Sequence, residues 1–385
     1  MRVLFDYQAF TLQRYGGVSK CFCELMAHFP EGYQYEIGVK STANVHLLNT
    51  HPIASNIEKA KLTLDSFLGG INFRGKGRIY SFMNSWLPYF PSSERINKSY
   101  SLELIKRGDY DVFHPTFFDS YYLKYLDKKP FVFTIHDMMP ELFPQYFKRN
   151  DPQIVGKRYL VDKAAAIVAV SEQTKQDIMR ILGVDERKIH VVYHGSPQYK
   201  EEPIKRLVGY SYYLYMGTRG CYKNFIPMLT DFATYWKKGY TEKLICTGPE
   251  FSENELAIIN QLGVRDKVVH YRASDSDVRS LYAYAVAFVY PSLYEGFGMP
   301  ILEAFSCGCP VLLNRKSCFP EIAGDAALYF DSDGHNSDLT EVLENMTAFS
   351  MEKRNELIRK GYERNMLFSW TESARKLVDI YESVI

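Results

Sequence analysis

The segment of residues 290–303, with the sequence YPSLYEGFGMPILE, constrains the fold of this chain more than any other segment. It follows the apolar run of residues 285–289, AVAFV, which is typical of a strand buried on both faces of a parallel sheet. It ends in the pattern ILEAF, which is typical of the first turns of a helix. The segment therefore predicts a buried strand, a glycine-containing turn and a helix N-terminus in direct succession.

The predicted turn carries the groups expected of a binding site for a diphosphate. Gly296 and Gly298 allow the backbone to approach a ligand closely, and the helix start offers unpaired N–H groups to an anion. Glu295 and Glu303 flank the turn, and ionised carboxylates only accept hydrogen bonds, so they suit sugar hydroxyls rather than more phosphate. The alternative is that Glu295 and Glu303 are two solvated residues beside an ordinary helix start, because the spacing between them alone does not distinguish the two cases.

The pattern resembles a known family. Two glutamates separated by seven residues, with the interior GFGMPILE and followed by AFSCGCP at residues 304–310, look like the signature of retaining glycosyltransferase family 4, the group 1 glycosyl transferases. The resemblance implies the α/β fold called GT-B, in which two Rossmann-like α/β/α domains face each other across a cleft and a C-terminal helix crosses back to the first domain. It also implies a bacterial polysaccharide or lipopolysaccharide setting.

Length and pattern agree with a two-domain chain. The 385 residues exceed the usual size of one domain, and predicted strands alternate with helices in both halves. We expect an N-terminal acceptor-side domain at residues 1–196 and a polar linker at residues 197–206. A C-terminal nucleotide-sugar-binding domain is expected at residues 207–369, followed by a crossing helix at residues 370–385. The strands are predicted at residues 2–6, 111–114, 130–135, 166–170 and 189–193, and then at 212–216, 243–247, 268–271, 287–290, 311–313 and 328–330.

Two features of the first half point into the predicted cleft. The pair Gly16-Gly17 precedes a helix predicted at residues 18–28, where it serves either as a second backbone contact to a donor diphosphate or as a simple turn. His136 follows the strand PFVFTI at its carboxyl end, the edge at which ligands of open α/β sheets collect. Because the resembled family has a glycine loop and a His-Asp pair at these places, both are predicted to contact the donor.

Arg219 and Lys223, in the loop GTRGCYKN after the strand of residues 212–216, are the predicted cations of the site. A sugar that leaves a nucleoside diphosphate leaves negative charge on phosphate, and two fixed cations stabilise that charge without a metal. The family keeps an arginine and a lysine in this loop, but Arg219 is offset from the usual position. No metal is expected, because the Asp-Ser-Asp triplets at 275–277 and 331–333 suit a helix cap and a polar loop.

The resemblance also implies a role for each candidate residue. Glu303 would accept from the ribose, Glu295 and His136 would contact the donor sugar, and the backbone at the turn would bind the diphosphate of a UDP- or GDP-linked sugar. No covalent nucleophile is evident, so a same-face substitution is expected. The predicted catalytic set is Glu295, His136, Arg219 and Lys223, and the predicted nucleotide-sugar-binding set is Gly16, Gly17, Arg219, Lys223, Phe297, Gly298, Met299, Pro300 and Glu303.

The composition limits which binding partners and which cellular compartment we expect for this chain. A net charge of +1 gives no general case for nucleic acid, and no apolar run is long enough to span a bilayer. Seven scattered cysteines without a CxxC pair favour reduced, buried thiols over zinc or disulfides, and the chain begins directly in a strand, so a cytoplasmic protein without a leader is expected.

Residues 71–107 are rich in basic and aromatic residues. Such a stretch predicts either contact with the inner face of the plasma membrane or with a lipid-linked acceptor, or merely a solvated basic surface. The acceptor is therefore expected to be a saccharide or a lipid-linked molecule. The alternatives left open for the function are a sugar-nucleotide epimerase or phosphorylase of the same architecture, and a non-catalytic sugar-nucleotide-binding scaffold.

Overall fold

A computed structural model describes residues 1–50, 53–60, 67, 75–86, 92–199 and 204–385. Its strands are β1 Arg2–Phe5, β2 Gln34–Ile37, β3 Ser41–Thr42, β4 Glu58–Lys59, β5 Val112–His114, β6 Val132–Ile135, β7 Ala166–Ala169, β8 Ile189–Val191, β9 Tyr212–Tyr215, β10 Lys243–Cys246, β11 Val268–His270, β12 Phe288–Tyr290, β13 Val311–Asn314 and β14 Leu328–Phe330. Its helices are α1 Gln8–Leu12, α2 Gly17–Ala27, α3 Val45–Asn49, α4 Lys76–Trp86, α5 Ser93–Arg107, α6 Met139–Leu142, α7 Pro152–Leu160, α8 Glu172–Leu182, α9 Phe225–Lys237, α10 Glu253–Gln261, α11 Asp275–Ala283, α12 Met299–Ser306, α13 Phe319–Ala323, α14 Leu339–Thr347, α15 Met351–Asn365 and α16 Trp370–Glu382.

The first half is built on parallel strands in the order β2-β1-β5 and β6-β7-β8. A parallel bridge between Phe113 and Phe131 joins the two groups of strands. Every residue of β6 and β7 is buried, as expected for strands covered by helices on both faces. The sequence prediction missed β2, because its sequence QYEI has only two apolar residues and is partly exposed.

The second half is a parallel sheet of order β11-β10-β9-β12-β13-β14. Its strand β9, with the sequence YYLY, is fully buried, and its tyrosine hydroxyls have partners inside the protein. Tyr212 donates to the carbonyl of Leu281 at 2.9 Å, and Tyr215 donates to the carbonyl of Thr218 at 2.6 Å. These tyrosines therefore belong to the core of the second half.

The last helix, α16, packs against the first half of the chain. Ala374, Leu377 and Tyr381 are buried in the same apolar cluster as strand β1 and helix α2. The approach is close at Gly195, where a Cβ atom would lie 2.2 Å from the backbone nitrogen of Trp370. The predicted crossing helix and the two-sheet α/β architecture are thus confirmed.

Polar contacts join the two halves close to the predicted glycine turn. The hydroxyls of Ser171 and Thr174 in the first half donate to the carbonyl of Gly296 in the second, at 2.6 and 3.2 Å. Glu321, also from the second half, accepts from the N–H groups of Glu172 and Gln173 at the start of α8. Ser171 is the N-cap of that helix, and its hydroxyl accepts from the N–H group of Thr174.

Several sequence predictions cannot be compared in full with the structure. Residues 200–203 of the predicted linker, and residues 71–74 and 87–91 of the basic aromatic stretch, lie outside the described residues. The domain limits therefore stay predictions. Within the described parts of the chain, no helix combines the length and the apolar character needed to cross a bilayer.

Candidate active site

The starts of two helices, one from each half, form the framework of the candidate site. Helix α2 begins after Gly16, and α12 begins after Gly298. Within the described residues, the N–H groups of Phe297, Gly298 and Met299 donate to no protein acceptor, and the same is true of the first N–H groups of α2, from Gly17 to Ser19. Each helix start thus offers free donors and a partial positive charge to an anion.

Glycine is needed at positions 296 and 298 of the turn for two different structural reasons. Gly298 has a φ of +92°, a left-handed conformation that residues with a Cβ atom rarely adopt. Gly296 is required by packing, because a Cβ atom there would lie 1.8 Å from the carbonyl oxygen of His136. The backbone at Gly296 therefore approaches the first half of the protein itself, whereas the sequence had predicted an approach to a ligand.

Lys20 and Glu303 form an ion pair across the cleft. Lys20 lies in the first turn of α2, and its Nζ is 3.0 Å from Oε1 of Glu303 on α12. The side chains are 30% and 19% exposed, so the pair is shielded from bulk water but still reachable by a ligand. The sequence prediction missed Lys20, although its place three residues after Gly17, in the first turn of the helix, was a usable signal.

Lys223 and Glu295 form a second, more buried ion pair at 2.6 Å, with side chains 17% and 14% exposed. Burial alone would lower the pKa of Lys223, but the adjacent carboxylate of Glu295 outweighs burial, so this pKa lies above its usual value. Lys223 therefore carries a positive charge at neutral pH. Both carboxylates predicted to contact sugar hydroxyls are thus paired with a lysine.

Arg219 occupies a different environment from Lys223. Its guanidinium donates to Glu255 at 2.8 Å, to the carbonyl of Thr247 at 3.2 Å and to the carbonyls of Pro249 and Glu250. Its side chain is only 3% exposed. These contacts hold the loop after β10 against α10, so the structure does not bring Arg219 together with Lys223 as an open cation at the cleft. This placement agrees with its offset from the family pattern.

His136 lies at the carboxyl end of β6, as predicted, and its buried Nε2 atom has no hydrogen-bond partner among the residues that the structure describes. Burial lowers the pKa of His136 to about 4, so the ring is neutral at pH 7. His114, at the end of β5, differs, because both of its nitrogens have partners, the Tyr381 hydroxyl at 2.5 Å and the Thr134 hydroxyl at 2.8 Å. His114 is therefore a core residue.

The two Asp-Ser-Asp triplets have structural roles. Asp277 completes a capping box with Ser274 at the start of α11. Asp333 accepts from the N–H groups of His335 and Asn336 in a loop. Among the described residues, neither triplet belongs to a group of three or more side chains that could together hold a metal ion.

Two family models match this chain. The model described as Glycosyltransferase Family 4 matches residues 64–196, and the model described as Glycosyl transferases group 1 matches residues 200–364. Together they cover most of both halves, including all the site residues of the second half. The chain belongs to the family 4 glycosyltransferases.

Curated relatives and a solved structure support this assignment. O-antigen chain mannosyltransferase B of Escherichia coli is 28% identical over 65% of this chain and 70% of its own length. O-antigen chain mannosyltransferase RfbU of Salmonella typhimurium is 29% identical over 53% of this chain and 57% of its own length. Anabaena HepE, solved in complex with UDP and glucose, is 15% identical with a TM-score of 0.71, and the match covers 99% of both chains. The fold is GT-B, and the protein is a glycosyltransferase.

We predict that Lys223 and Glu295 stabilise each other strongly. Glu295→Gln leaves a largely buried ammonium without its counter-charge and should lower the free energy of unfolding by about 1–3 kcal/mol, which is less than a fully buried pair would lose. Because folding raises the pKa of Lys223, this contribution is present at neutral pH and is lost only as the pH rises above the ordinary lysine value of about 10.4.

The measurement is urea unfolding of the single variants Lys223→Met and Glu295→Gln and of the double variant that combines them. The double variant should recover most of the loss, because no unpaired charge stays buried. If the effects of the two single substitutions simply add, the two side chains are not coupled and the assignment of the ion pair is wrong.

Proposed function

We propose that this glycosyltransferase moves a mannosyl unit from a nucleoside-diphosphate sugar to a saccharide or lipid-linked acceptor, with retention of the anomeric configuration. One observation carries the proposal. Each of the two carboxylates suited to sugar hydroxyls is paired with a lysine that lies beside a helix start or a glycine loop of the cleft. The cleft therefore holds matched sets of acceptors and cations, which is what a sugar diphosphate requires.

Donor binding would exchange the partners within both ion pairs. The diphosphate would accept from Lys20, Lys223 and the free N–H groups at the starts of α2 and α12. The donor hydroxyls would then donate to Glu303, at the ribose, and to Glu295, at the sugar. No charge would be left buried and unpaired, so the cost of opening each ion pair is offset within the same step.

The same groups would support the transfer. The bond between the anomeric carbon and the phosphate oxygen breaks, and the negative charge of the leaving group is stabilised by Lys223 and the backbone donors. The acceptor oxygen bonds to the anomeric carbon from the same face, and its proton passes to a phosphate oxygen. Neutral His136 would lie beside the donor sugar. The lysines supply the cations of this step, so we propose no metal for it.

The sugar and its setting are inferred from the relatives. Two of them are named as O-antigen chain mannosyltransferases, which supports mannose and the assembly of a bacterial surface polysaccharide. HepE was solved with UDP and glucose, which supports a nucleotide-linked donor. GDP-mannose is therefore the first donor to test and UDP-glucose the second. The comparisons do not favour the epimerase, phosphorylase or scaffold alternatives.

Contact with the cytoplasmic face of the membrane is a further part of the proposal. On α4, Ile79, Phe82 and Trp86 lie on one face and are 44%, 60% and 74% exposed. Lys98 and Arg107 of α5 are paired with acidic residues, so the basic surface in this region is smaller than the composition implied. The apolar face of α4, rather than the basic charge, would provide most of the attraction to a lipid surface.

We predict transfer from GDP-mannose to an octyl mannoside acceptor, with release of GDP. The product should keep the anomeric configuration of the donor, as determined by NMR. Glu295→Ala should lower turnover by about a hundredfold, because it removes a contact near the reacting carbon. An inverted product would contradict the mechanism, and failure with both donors and a panel of saccharide acceptors would favour the scaffold alternative.

We predict that Lys20→Met weakens the affinity for GDP or UDP, whichever binds, by about 10- to 100-fold, because it removes one charge-assisted contact to the diphosphate. Calorimetry provides the measurement. Lys360→Met is the matched control, because Lys360 also forms a 3.0 Å ion pair and is 31% exposed, but it contacts Asp325. Equal effects of the two substitutions would remove Lys20 from the diphosphate site.

We predict that the full chain co-sediments with vesicles containing an anionic phospholipid. Phe82→Ser/Trp86→Ser should reduce the bound fraction by about tenfold or more, because two apolar side chains are removed from the lipid-facing surface. Met351→Ser is the control, since Met351 is 71% exposed in the second half of the chain. Unchanged binding of the double variant would contradict a lipid-binding role of α4.

A further inference from the structure

A sulfur atom and two imidazole rings meet beside the candidate site. Cys21 lies on α2, His136 follows β6, and His194 follows β8. One possible ligand atom from each lies within 4.8 Å of the others. The three residues are far apart in sequence. The carboxyl ends of the parallel strands β6 and β8, which lie on either side of β7, point to one edge of the sheet, and α2 brings Cys21 to the same place.

The imidazoles in this cluster lack partners within the described part of the protein. The buried Nε2 atom of His136 and both ring nitrogens of His194 form no hydrogen bond there. His194 is only 8% exposed, and its ring lies against Phe297 and Trp370, with centroids 4.6 and 5.6 Å apart. A buried polar atom without a partner costs about 1–3 kcal/mol, so these nitrogens require a partner from outside the chain.

The protonation states of the two histidines suit metal binding. Burial lowers the pKa of His136 to about 4 and that of His194 to about 3, so both rings are neutral at pH 7 and have a free lone pair. Burial raises the pKa of the Cys21 thiol, which therefore keeps its proton until a metal ion displaces it. Lys20 lies near His194, but its charge is compensated by Glu303.

We propose that Cys21, His136 and His194 form a binding site for a thiophilic divalent ion, with Zn²⁺ as the expected ion. One sulfur and two imidazole nitrogens are a donor set that zinc prefers over magnesium or calcium. Binding joins the ion to the Cys21 sulfur and to one nitrogen of each ring, and it releases the thiol proton to water. The fourth position of a tetrahedral ion is left for water.

The distances allow such a site with small adjustments. In tetrahedral zinc sites, bonds of about 2.3 Å to sulfur and about 2.0 Å to nitrogen place the ligand atoms roughly 3.5 Å apart. The present upper limit of 4.8 Å therefore requires the ligands to approach each other by about 1 Å, which side-chain rotation can supply.

The site has a consequence for the enzyme that rests on the proposed function. An ion bound to His136 would fix the ring of the residue that is proposed to lie beside the donor sugar. Zinc and the donor should therefore compete, and the ion would act as an inhibitor without any part in the transfer. The proposed zinc site does not involve the Asp-Ser-Asp triplets. The sequence had not predicted it, because the scattered cysteines favoured reduced, buried thiols over zinc.

Cobalt substitution tests the site without any activity assay. Titration of the chelator-treated full chain with Co²⁺ should give, at one equivalent, the near-ultraviolet thiolate charge-transfer band and the visible bands of a tetrahedral ion, and Zn²⁺ should remove them. Cys21→Ser should abolish the charge-transfer band and weaken Co²⁺ binding at least about tenfold. His194→Gln should weaken binding to a similar degree.

Cys23→Ser is the matched control, because Cys23 lies on the same helix and both cysteines are 4% exposed. The control should bind Co²⁺ like the unchanged chain, and circular dichroism identifies any variant that has not folded. Absence of a thiolate band, or binding that survives Cys21→Ser, would overturn the proposal. If the band appears but Zn²⁺ does not lower GDP or UDP-sugar binding, the metal site stands and only its competition with the donor is wrong.

Discussion

The ion pair between Lys20 and Glu303 is the interaction on which the candidate site depends, because its two members come from opposite halves of the chain. It joins the first turn of α2 to α12. A surface ion pair contributes little to stability, but this one is partly shielded from water. Its lysine lies in the first turn of α2, beside backbone N–H groups that have no acceptor in the described part of the chain. A ligand with both phosphate and hydroxyl groups can replace this ion pair, because the phosphate pairs with Lys20 and the hydroxyls pair with Glu303. Phosphate alone would leave Glu303 without a partner, and sugar alone would leave Lys20 without one.

The glycine turn makes that arrangement possible through contacts with the first half of the protein. Gly296 lies directly against the backbone of His136, and its carbonyl accepts from Ser171 and Thr174. A Cβ atom at this position would clash with the backbone of His136, which belongs to the half that carries Lys20. The packing of one residue without a Cβ atom is therefore coupled to the geometry of the Lys20–Glu303 pair, the one of the two ion pairs described above that joins the halves.

The sequence predicted the fold well, because parallel strands buried on both faces are continuous apolar runs and the turns after them carry the glycines. Strands such as β6 and β7 follow this rule, whereas the partly exposed β2 does not and was missed. The site was harder to predict, since the partner of a charged residue is set by tertiary contacts. Lys223 pairs with Glu295, but Arg219, four residues earlier, is held by Glu255 and backbone carbonyls, and the local sequence does not distinguish them. Lys20 was missed for the same reason.

A crystal structure of the full chain with GDP or UDP would test the exchange of ion-pair partners most directly. The account predicts that the Nζ atoms of Lys20 and Lys223 move to within about 3 Å of phosphate oxygens, while Glu303 accepts from the ribose hydroxyls. A bound nucleotide with the Lys20–Glu303 and Lys223–Glu295 pairs both intact would contradict it.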